Sequence, residues 1–172
     1  YSTYYDVKYP GHERKAGRPL LTSPTYPRTQ ELGGVFGEKS GWERVNWFEP
    51  NAASGDESLR PRGWAGRLWS PAIGAEHVAC RTTAALFDET SFAKIEIAGE
   101  NAADFLERLC DNKVARDVGA ITYTQMLNQR GGIECDFTVT RLAEDRFRIV
   151  TGTAFGRHDL AWIRSQAPDG VG

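Results

Sequence analysis

Residues 123–150 read YTQMLNQRGGIECDFTVTRLAEDRFRIV, and the alternation within this stretch decides the fold. From Ile133 to Thr140 every second side chain is apolar, and the side chains between them are polar. A period of two is typical of a strand that buries one face. Turn-forming residues flank this strand, and further β-rich segments lie beyond them. The pattern predicts an antiparallel meander, with strands at 122–127, 133–140 and around 147–149 and turns at 128–132 and 143–146.

The segments on either side of the meander have a periodicity of their own. Apolar and charged residues alternate over Phe92–Ala98, which predicts a half-buried strand. Apolar residues at helical spacing predict three helices, over Gly74–Phe87, Glu100–Asp111 and Phe155–Gln166. We expect Thr153 to cap the last of these helices. Helices that flank a mainly antiparallel sheet define an α+β fold, which we predict for residues 63–172.

Residues 1–62 differ in composition from the rest of the chain, because they hold six of the eight prolines and many aromatic residues. Proline interrupts helices and central strands, so we expect an irregular segment with one short strand at Gly34–Glu38. Aromatic side chains usually cover a surface. We favour a neighbouring domain outside this sequence as that surface, with the remainder of the chain as the alternative. The polar stretch Asn51–Arg62 predicts a boundary loop between a linker or cap segment, 1–62, and a second domain, 63–172.

The overall charge argues against several classes of function. The 172 residues include 21 basic and 23 acidic side chains, for a net charge of −2 and a pI of about 6.0. No basic stripe is present, so we expect neither a nucleic-acid partner nor an anionic membrane. No apolar run is long enough to span a bilayer, and no basic-then-apolar signal opens the sequence. We therefore predict a soluble, cytoplasmic protein.

The cysteines show no metal-binding spacing. Cys80, Cys110 and Cys135 are far apart and odd in number, and no CxxC or Cys/His pattern occurs. This argues against a disulfide framework and against a zinc site. A cysteine on the apolar face of a strand, such as Cys135, is far more often inert core than a reactive thiol. We predict that the chain has no metal site.

Asp136 lies in the middle of a predicted strand, on its polar face. A carboxylate is costly to bury without a partner, so Asp136 faces either water or a functional site. The pattern alone favours a solvent-facing aspartate beside Glu134 and Thr138, because only a minority of the acidic side chains in proteins have a strongly shifted pKa.

The motif around Asp136 favours the functional reading. Asn128, Gly131, Gly132 and Asp136 match Asn-x-x-Gly-Gly-x-x-x-Asp residue for residue. The stretch closely resembles the folate-binding domain of the glycine-cleavage T-protein (aminomethyltransferase) family. Many members have two adjacent aspartates, the first of which is Cys135 here. The resemblance implies that Asp136 is the catalytic base in one-carbon transfer to tetrahydrofolate.

The resemblance also assigns pocket residues. Tyr123, Met126 and Leu127 match the family's Tyr-x-x-Met-Leu, which implies that they line the folate pocket together with Asp136. Ordinary strand core is an equally acceptable role for these three side chains, and both readings stay open.

A second signature of the family, Arg-x-x-x-x-(apolar)-Phe-Asp-x-Ser, is matched near the middle of the chain. The matching positions are Arg81, Phe87, Asp88 and the hydroxyl near Ser91. An aspartate in this position could equally cap a turn into the next strand, and we assign it a structural role.

Residues 9–48 resemble the segment that joins the flavin and folate domains of sarcosine and dimethylglycine dehydrogenases or oxidases. The matching motifs are Phe36-Gly37-Glu38-Lys39, Gly41-Trp42-Glu43-Arg44 and Trp47-Phe48. The resemblance implies tetrahydrofolate as the cofactor, and FAD only through a flavin domain outside this sequence. The expected partners are folate and a flavin domain or subunit, and an oligomer is compatible with this scheme.

Two functions from different classes follow. The first is aminomethyltransferase-like one-carbon transfer within a sarcosine or dimethylglycine dehydrogenase or oxidase. The second is a non-catalytic docking or scaffold module for a flavin-dependent amine oxidoreductase. Members of the family continue beyond the part that this sequence matches, so we expect the isolated chain to be inactive. We also expect it to expose an apolar patch that the rest of the domain would cover.

Overall fold

The computed structural model describes Tyr5, Val7, Tyr9 and residues 12–168. The chain forms two compact units, Tyr1–Ser91 and Phe92–Gly172. In the described part of the chain, the first unit contains a two-stranded sheet and the second a four-stranded sheet. The predicted division into a linker or cap over 1–62 and a domain over 63–172 stays a prediction.

The first unit is built around an antiparallel hairpin. Its elements in chain order are α1 (Tyr26–Glu31), β1 (Gly34–Lys39), β2 (Trp42–Phe48), three short 3₁₀ turns between residues 49 and 68, and α2 (Pro71–Thr82). The strand expected at Gly34–Glu38 is confirmed as β1, whereas β2 and α1 were not expected. No proline lies within β1 or β2, so the prolines of this segment do not interrupt the hairpin.

A two-residue turn explains why the hairpin forms. Lys39 pairs with Trp42, which leaves only Ser40 and Gly41 in the loop. Their φ angles are 52° and 88°. Positive φ at both central residues is the type I′ geometry, which matches the right-handed twist of the flanking strands.

A buried ion pair fastens the hairpin to the segment before it. Nε and Nη2 of Arg18 lie 2.7 and 2.6 Å from the two carboxylate oxygens of Glu43. The two side chains are only 12% and 4% exposed, respectively. Nη2 of Arg18 also donates to the carbonyl of Phe36, at 3.1 Å. The hydrogen bond to Glu43 raises the pKa of Arg18, so the guanidinium stays charged in its buried position.

Helix α2 differs from its predicted bounds, Gly74–Phe87. It begins at Pro71, because Pro suits the first turn and the Ser70 hydroxyl accepts a hydrogen bond from the backbone N–H of Ala72 (3.2 Å). It ends at Thr82, where the hydroxyls of Thr82 and Thr83 donate to carbonyls four residues earlier. Leu86 is 99% exposed, so no packing extends the helix to it.

The second unit is a four-stranded antiparallel sheet with two helices. Its elements are β3 (Ala93–Ala98), α3 (Ala102–Leu109), β4 (Ile121–Leu127), β5 (Ile133–Ala143), β6 (Arg146–Thr151) and α4 (Gly156–Gln166). The strand order is β3-β6-β5-β4. This arrangement confirms both the predicted meander and the α+β class.

One face of this sheet forms the hydrophobic core. The alternating apolar side chains of the strands pack there against α3 and α4, and the buried residues include Ile95, Ile97, Phe105, Leu106, Met126, Cys135, Phe137, Val139, Phe147, Ile149 and Ile163. The period of two sends the side chains between them to the opposite face, which we call the outer face. Asp136, Tyr123 and Gln125 belong to that outer face.

The helices of the described residues are short, with 6 to 12 residues each. None of them is long and apolar enough to cross a bilayer. Helix α4 begins at Gly156, and its N-cap residue is Phe155. Thr153 is therefore not the N-cap residue that we expected, because the helix begins two residues later than such a cap requires.

Candidate functional site

Asp136 and Tyr123 meet on the outer face of the sheet. Both side chains are exposed, and the carboxylate of Asp136 accepts a hydrogen bond from the Tyr123 hydroxyl. This bond raises the pKa of Tyr123 above its ordinary value, because the negative carboxylate stabilises the protonated phenol. Gln125 donates to the phenol oxygen and opposes that shift. The three side chains form one polar cluster, which we call the Asp136 cluster.

The register of β4 and β5 brings these side chains together. Gln125 is directly opposite Asp136, and Tyr123 is directly opposite Thr138. Tyr123 is therefore a diagonal neighbour of Asp136, at a separation that a long aromatic side chain can bridge. The alternation along each strand determines the face on which a side chain lies, and the antiparallel register determines which side chains of the two strands are neighbours.

Met126 and Leu127 take different positions from this cluster. Met126 is completely buried, opposite Cys135 in the core. Leu127 is 40% exposed, and a register irregularity between Met126 and Leu127 pairs Leu127 with Ile133. The structure thus brings Tyr123 and Asp136 together and places Met126 on the other face, which corresponds to the core role that the sequence left open.

Leu127 lines a shallow cavity at the end of the sheet. The cavity has a volume of about 370 Å³, and its other lining residues include Asn128, Arg130, Glu134 and Trp162. It is separate from the buried Met126, so the pocket residues expected from the sequence do not share one surface.

The Asn-x-x-Gly-Gly part of the motif builds the turn before β5. Oδ1 of Asn128 accepts hydrogen bonds from the backbone N–H groups of Arg130 (2.9 Å) and Gly132 (3.0 Å). Gly131 has a φ of 76°, a conformation that glycine adopts without strain. The asparagine side chain thus satisfies the turn backbone and fixes the start of the strand that carries Asp136.

Further apolar side chains are exposed on β4 and β5. Ile121 and Leu127 of β4 and Ile133 at the start of β5 are all exposed, in addition to Tyr123. The apolar patch that the sequence predicts on this sheet stays a prediction.

Asp88, in the first unit, has the structural role that we assigned to it. Its Oδ2 accepts hydrogen bonds from the hydroxyls of Ser23 and Thr25, both at 2.5 Å, and its Oδ1 accepts one from the backbone N–H of Thr90 at 3.0 Å. Partial burial raises the pKa of Asp88, but these hydrogen bonds outweigh it and hold that pKa well below the ordinary range. The carboxylate joins the 88–90 turn to the chain near Ser23.

Sequence reasoning missed a second cluster, on the core side of the sheet. Asp159 of α4 is 1% exposed, and its neighbours include Cys135, Thr151 and His158. The signal was available, because Asp159 lies one helical turn before the buried Ile163 and so occupies a core-facing position. A charged residue in such a position needs partners.

The Asp136 cluster can serve as a proton acceptor beside a flat, polar ligand. It offers one exposed carboxylate and one phenol, and an amide directly opposite the carboxylate on the neighbouring strand. A ring system with N–H donors fits such a set, because the carboxylate accepts protons and the aromatic ring provides a stacking surface.

Comparisons with known proteins identify several relatives, which have different names. The chain is 33% identical over 160 residues to 4-methylaminobutanoate oxidase (formaldehyde-forming) of Paenarthrobacter nicotinovorans, covering 93% of this chain and 19% of that protein. It is 32% identical over 166 residues to the mitochondrial pyruvate dehydrogenase phosphatase regulatory subunit of Mus musculus, covering 95% and 19%. It is 30% identical over 203 residues to the mitochondrial sarcosine dehydrogenase of Mus musculus, covering 98% and 22%. The chain spans about a fifth of the length of these relatives.

A solved structure supports the fold. The glycine cleavage system aminomethyltransferase T from Bartonella henselae matches with a TM-score of 0.62 and 23% identity, over 89% of this chain and 37% of that one. The family model described as the GCVT N-terminal domain matches residues 25–172. This match confirms the resemblance found in the sequence, and the chain therefore belongs to the GCVT N-terminal domain family.

Proposed function

We propose that this chain is part of a tetrahydrofolate-binding, aminomethyltransferase-like domain within a sarcosine or dimethylglycine type of dehydrogenase or oxidase. The observation that carries the proposal is the exposed Asp136 in contact with Tyr123, on the strand that follows the Asn-x-x-Gly-Gly turn. The names of the relatives support the same class of chemistry, since they include an oxidase and a dehydrogenase of N-methylated amines.

Asp136 acts as general base and electrostatic stabiliser in this proposal. Tetrahydrofolate supplies the two nitrogens, N5 and N10, that receive the one-carbon unit. The carboxylate of Asp136 accepts a proton from the reacting nitrogen and offsets positive charge that develops beside it. The Tyr123 hydroxyl holds the carboxylate in one orientation by donating to it.

FAD enters the proposal only through a flavin domain or subunit that oxidises the N-methyl amine. Residues 9–48 then form the segment that joins this flavin domain to the folate domain. A linker or cap over 1–62, a folate domain over 63–172 and a cytoplasmic location remain parts of the proposal, as does an oligomer.

Calorimetric titration with tetrahydrofolate tests the proposal. Asp136→Asn keeps the shape of the side chain and removes its charge, so we expect folate binding to weaken by about 1–3 kcal/mol. Asp145→Asn is the matched control, because it removes the same charge from an exposed turn at the far end of β5. Its binding should equal that of the unaltered chain.

A second measurement keeps the outcome readable if the chain alone binds folate too weakly to detect. The titration of Tyr123 followed by NMR should give a pKa above the ordinary value of about 10, and Asp136→Asn should lower it. If that pair is intact but neither this chain nor one extended past Gly172 binds folate, the folate proposal is wrong.

A non-catalytic module is the second candidate function. One relative at 32% identity is named as a regulatory subunit. In this alternative, residues 1–62 dock on a flavin-containing protein and the second unit is a scaffold. Folate binding that depends on Asp136 would exclude this alternative, whereas binding to a flavin partner that Asp136→Asn leaves unchanged, in the absence of folate binding, would favour it.

A further inference from the structure

Cys135, His158 and Asp159 converge on the core side of the sheet, behind the Asp136 cluster. The thiol sulfur, one imidazole nitrogen and one carboxylate oxygen all lie within 4.8 Å of one another. Nδ1 of His158 lies 3.0 Å from Oδ1 of the Asp159 carboxylate. A sulfur, a nitrogen and an oxygen atom that can each bind a metal ion thus lie close together.

We propose that Cys135, His158 and Asp159 bind one zinc ion. Zinc accepts sulfur, nitrogen and oxygen ligands at about 2.0–2.3 Å in a tetrahedral arrangement. Donor atoms that already lie within 4.8 Å of one another need only small side-chain shifts to share such an ion. A thiolate ligand also favours zinc over magnesium and calcium, which prefer oxygen ligands.

The carboxylate ligand is already oriented by a neighbour. The Thr151 hydroxyl donates to Oδ2 of Asp159 at 2.5 Å, which leaves Oδ1 beside the imidazole. Both Thr151 and Asp159 are buried, so the carboxylate has one fixed orientation. Hydrogen bonds of this kind to the ligands of a metal ion fix their geometry and tune their basicity.

A carboxylate also lies near the histidine ligand. Its second nitrogen, Nε2, lies 3.9 Å from Oε2 of Glu134. The other oxygen of that carboxylate accepts a hydrogen bond from Asn128 at 2.8 Å. When Nδ1 binds the ion, the N–H at Nε2 needs an acceptor, and a carboxylate is the usual one. Glu134 is therefore a positioning residue for His158.

Zinc binding displaces one proton, that of the Cys135 thiol. Burial raises the pKa of the Cys135 thiol to about 12, and the negative charge of Asp159 adds to the effect, so the thiol is protonated without an ion. Binding replaces this proton: the S–H bond breaks, the sulfur–zinc bond forms and the proton leaves to water. The ion neutralises the repulsion between thiolate and carboxylate. The side chain of His158 is 53% exposed and provides the entry path.

This proposal departs from the sequence-based expectation of no metal site. Cys135 and His158 are far apart in the sequence, so no spacing motif joins them. Only the packing of α4 against β5 brings them together.

Cobalt(II) is the probe that tests the site, because a thiolate bound to cobalt gives an intense near-ultraviolet charge-transfer band. We expect this band on adding cobalt(II) to the chain, and its loss on adding excess zinc. Cys135→Ala should abolish the band. The matched control is Cys110→Ala, which removes another buried cysteine whose pKa is also raised to about 12. That variant should keep the band.

Two surface substitutions keep the test decisive if Cys135→Ala unfolds the chain. His158→Ala removes an exposed ligand and should lower zinc affinity more than Glu134→Gln does. Glu134→Gln should lower it about 10–100-fold, as expected for a residue that supports a ligand. Absence of a charge-transfer band in the unaltered chain would overturn the proposal. So would a band that persists in Cys135→Ala, or zinc affinity that His158→Ala leaves unchanged.

Discussion

The two antiparallel sheets of this chain are stabilised by different interactions. The four-stranded sheet buries a continuous apolar face, in which Phe147 and Ile149 are completely inaccessible. The β1–β2 hairpin has no buried apolar side chain in either strand, and its buried side chain is Glu43, paired with Arg18. The four-stranded sheet is stabilised by the removal of apolar area from water. The hairpin instead contains a buried charge that needs its oppositely charged partner.

This difference determines how each sheet responds to substitution. An apolar core loses stability in proportion to the atoms removed and the cavity left behind. A buried ion pair tolerates replacement of both partners by apolar residues, but not the loss of one partner. The comparison can therefore be tested by substitutions in each sheet.

The largest effect is expected in the core. Phe147→Ala should lower the free energy of unfolding of the second unit by about 3–5 kcal/mol, because it removes a fully buried ring. Urea denaturation, combined with hydrogen exchange of the β5 and β6 amides, measures this loss. Arg148→Ala is the control in the same strand. Its side chain is 44% exposed and pairs with Glu96, so we expect a loss of less than about 1 kcal/mol.

The ion pair should have the next largest effect. Glu43→Ala leaves the Arg18 guanidinium buried without its partner, and we expect a loss of about 3 kcal/mol, seen as faster hydrogen exchange in β1 and β2. The double substitution Arg18→Met, Glu43→Leu should recover most of that stability. If the double variant is as unstable as Glu43→Ala, the attraction between Arg18 and Glu43 itself stabilises the folded chain, and the loss in Glu43→Ala is not due only to an unpaired guanidinium.

The smallest effect is expected at Asp88. Asp88→Asn should reduce stability by about 1 kcal/mol near neutral pH, because the charged acceptor of three hydrogen bonds is lost. The pKa of Asp88 is lower in the folded chain than its unfolded value of about 3.9, so its contribution is present above that value and is lost as the pH falls through the folded pKa.

The difference in stability between the unaltered chain and Asp88→Asn should therefore be constant from neutral pH to about pH 5 and shrink below about pH 4. Thermal unfolding at a series of pH values measures it. A difference that stays constant in acid would show that the charge of Asp88 is not responsible.

The same contrast explains what could be predicted from the sequence. The meander around Asp136 was predictable because alternation, turn residues and register all agree over one continuous stretch. The Ser40-Gly41 dipeptide is also a local signal, since it is typical of a turn. The prolines elsewhere in this segment led instead to the expectation of irregular structure. Arg18 and Glu43 are 25 residues apart, and neither is distinctive by itself, so their pairing is a product of tertiary structure.

The candidate site divides in the same way. Asp136 was identified from the motif, and its neighbour Tyr123 follows from the register of β4 and β5. Met126 was grouped with them by motif alone, although its parity in the strand sends it to the core. The cluster at Asp159 requires knowing which face of α4 meets β5, which no local pattern specifies.

The alternation along β5 constrains how this segment can evolve. Cys135 and Asp136 are neighbours in the chain but face opposite sides of the sheet. Gain or loss of a single residue within the strand would exchange their faces, sending the acid into the core and the thiol to solvent. Length variation among related sequences should therefore be confined to the turns at 128–132 and 143–146. The spacing between the glycine turn and the aspartate is then inherited as a fixed length.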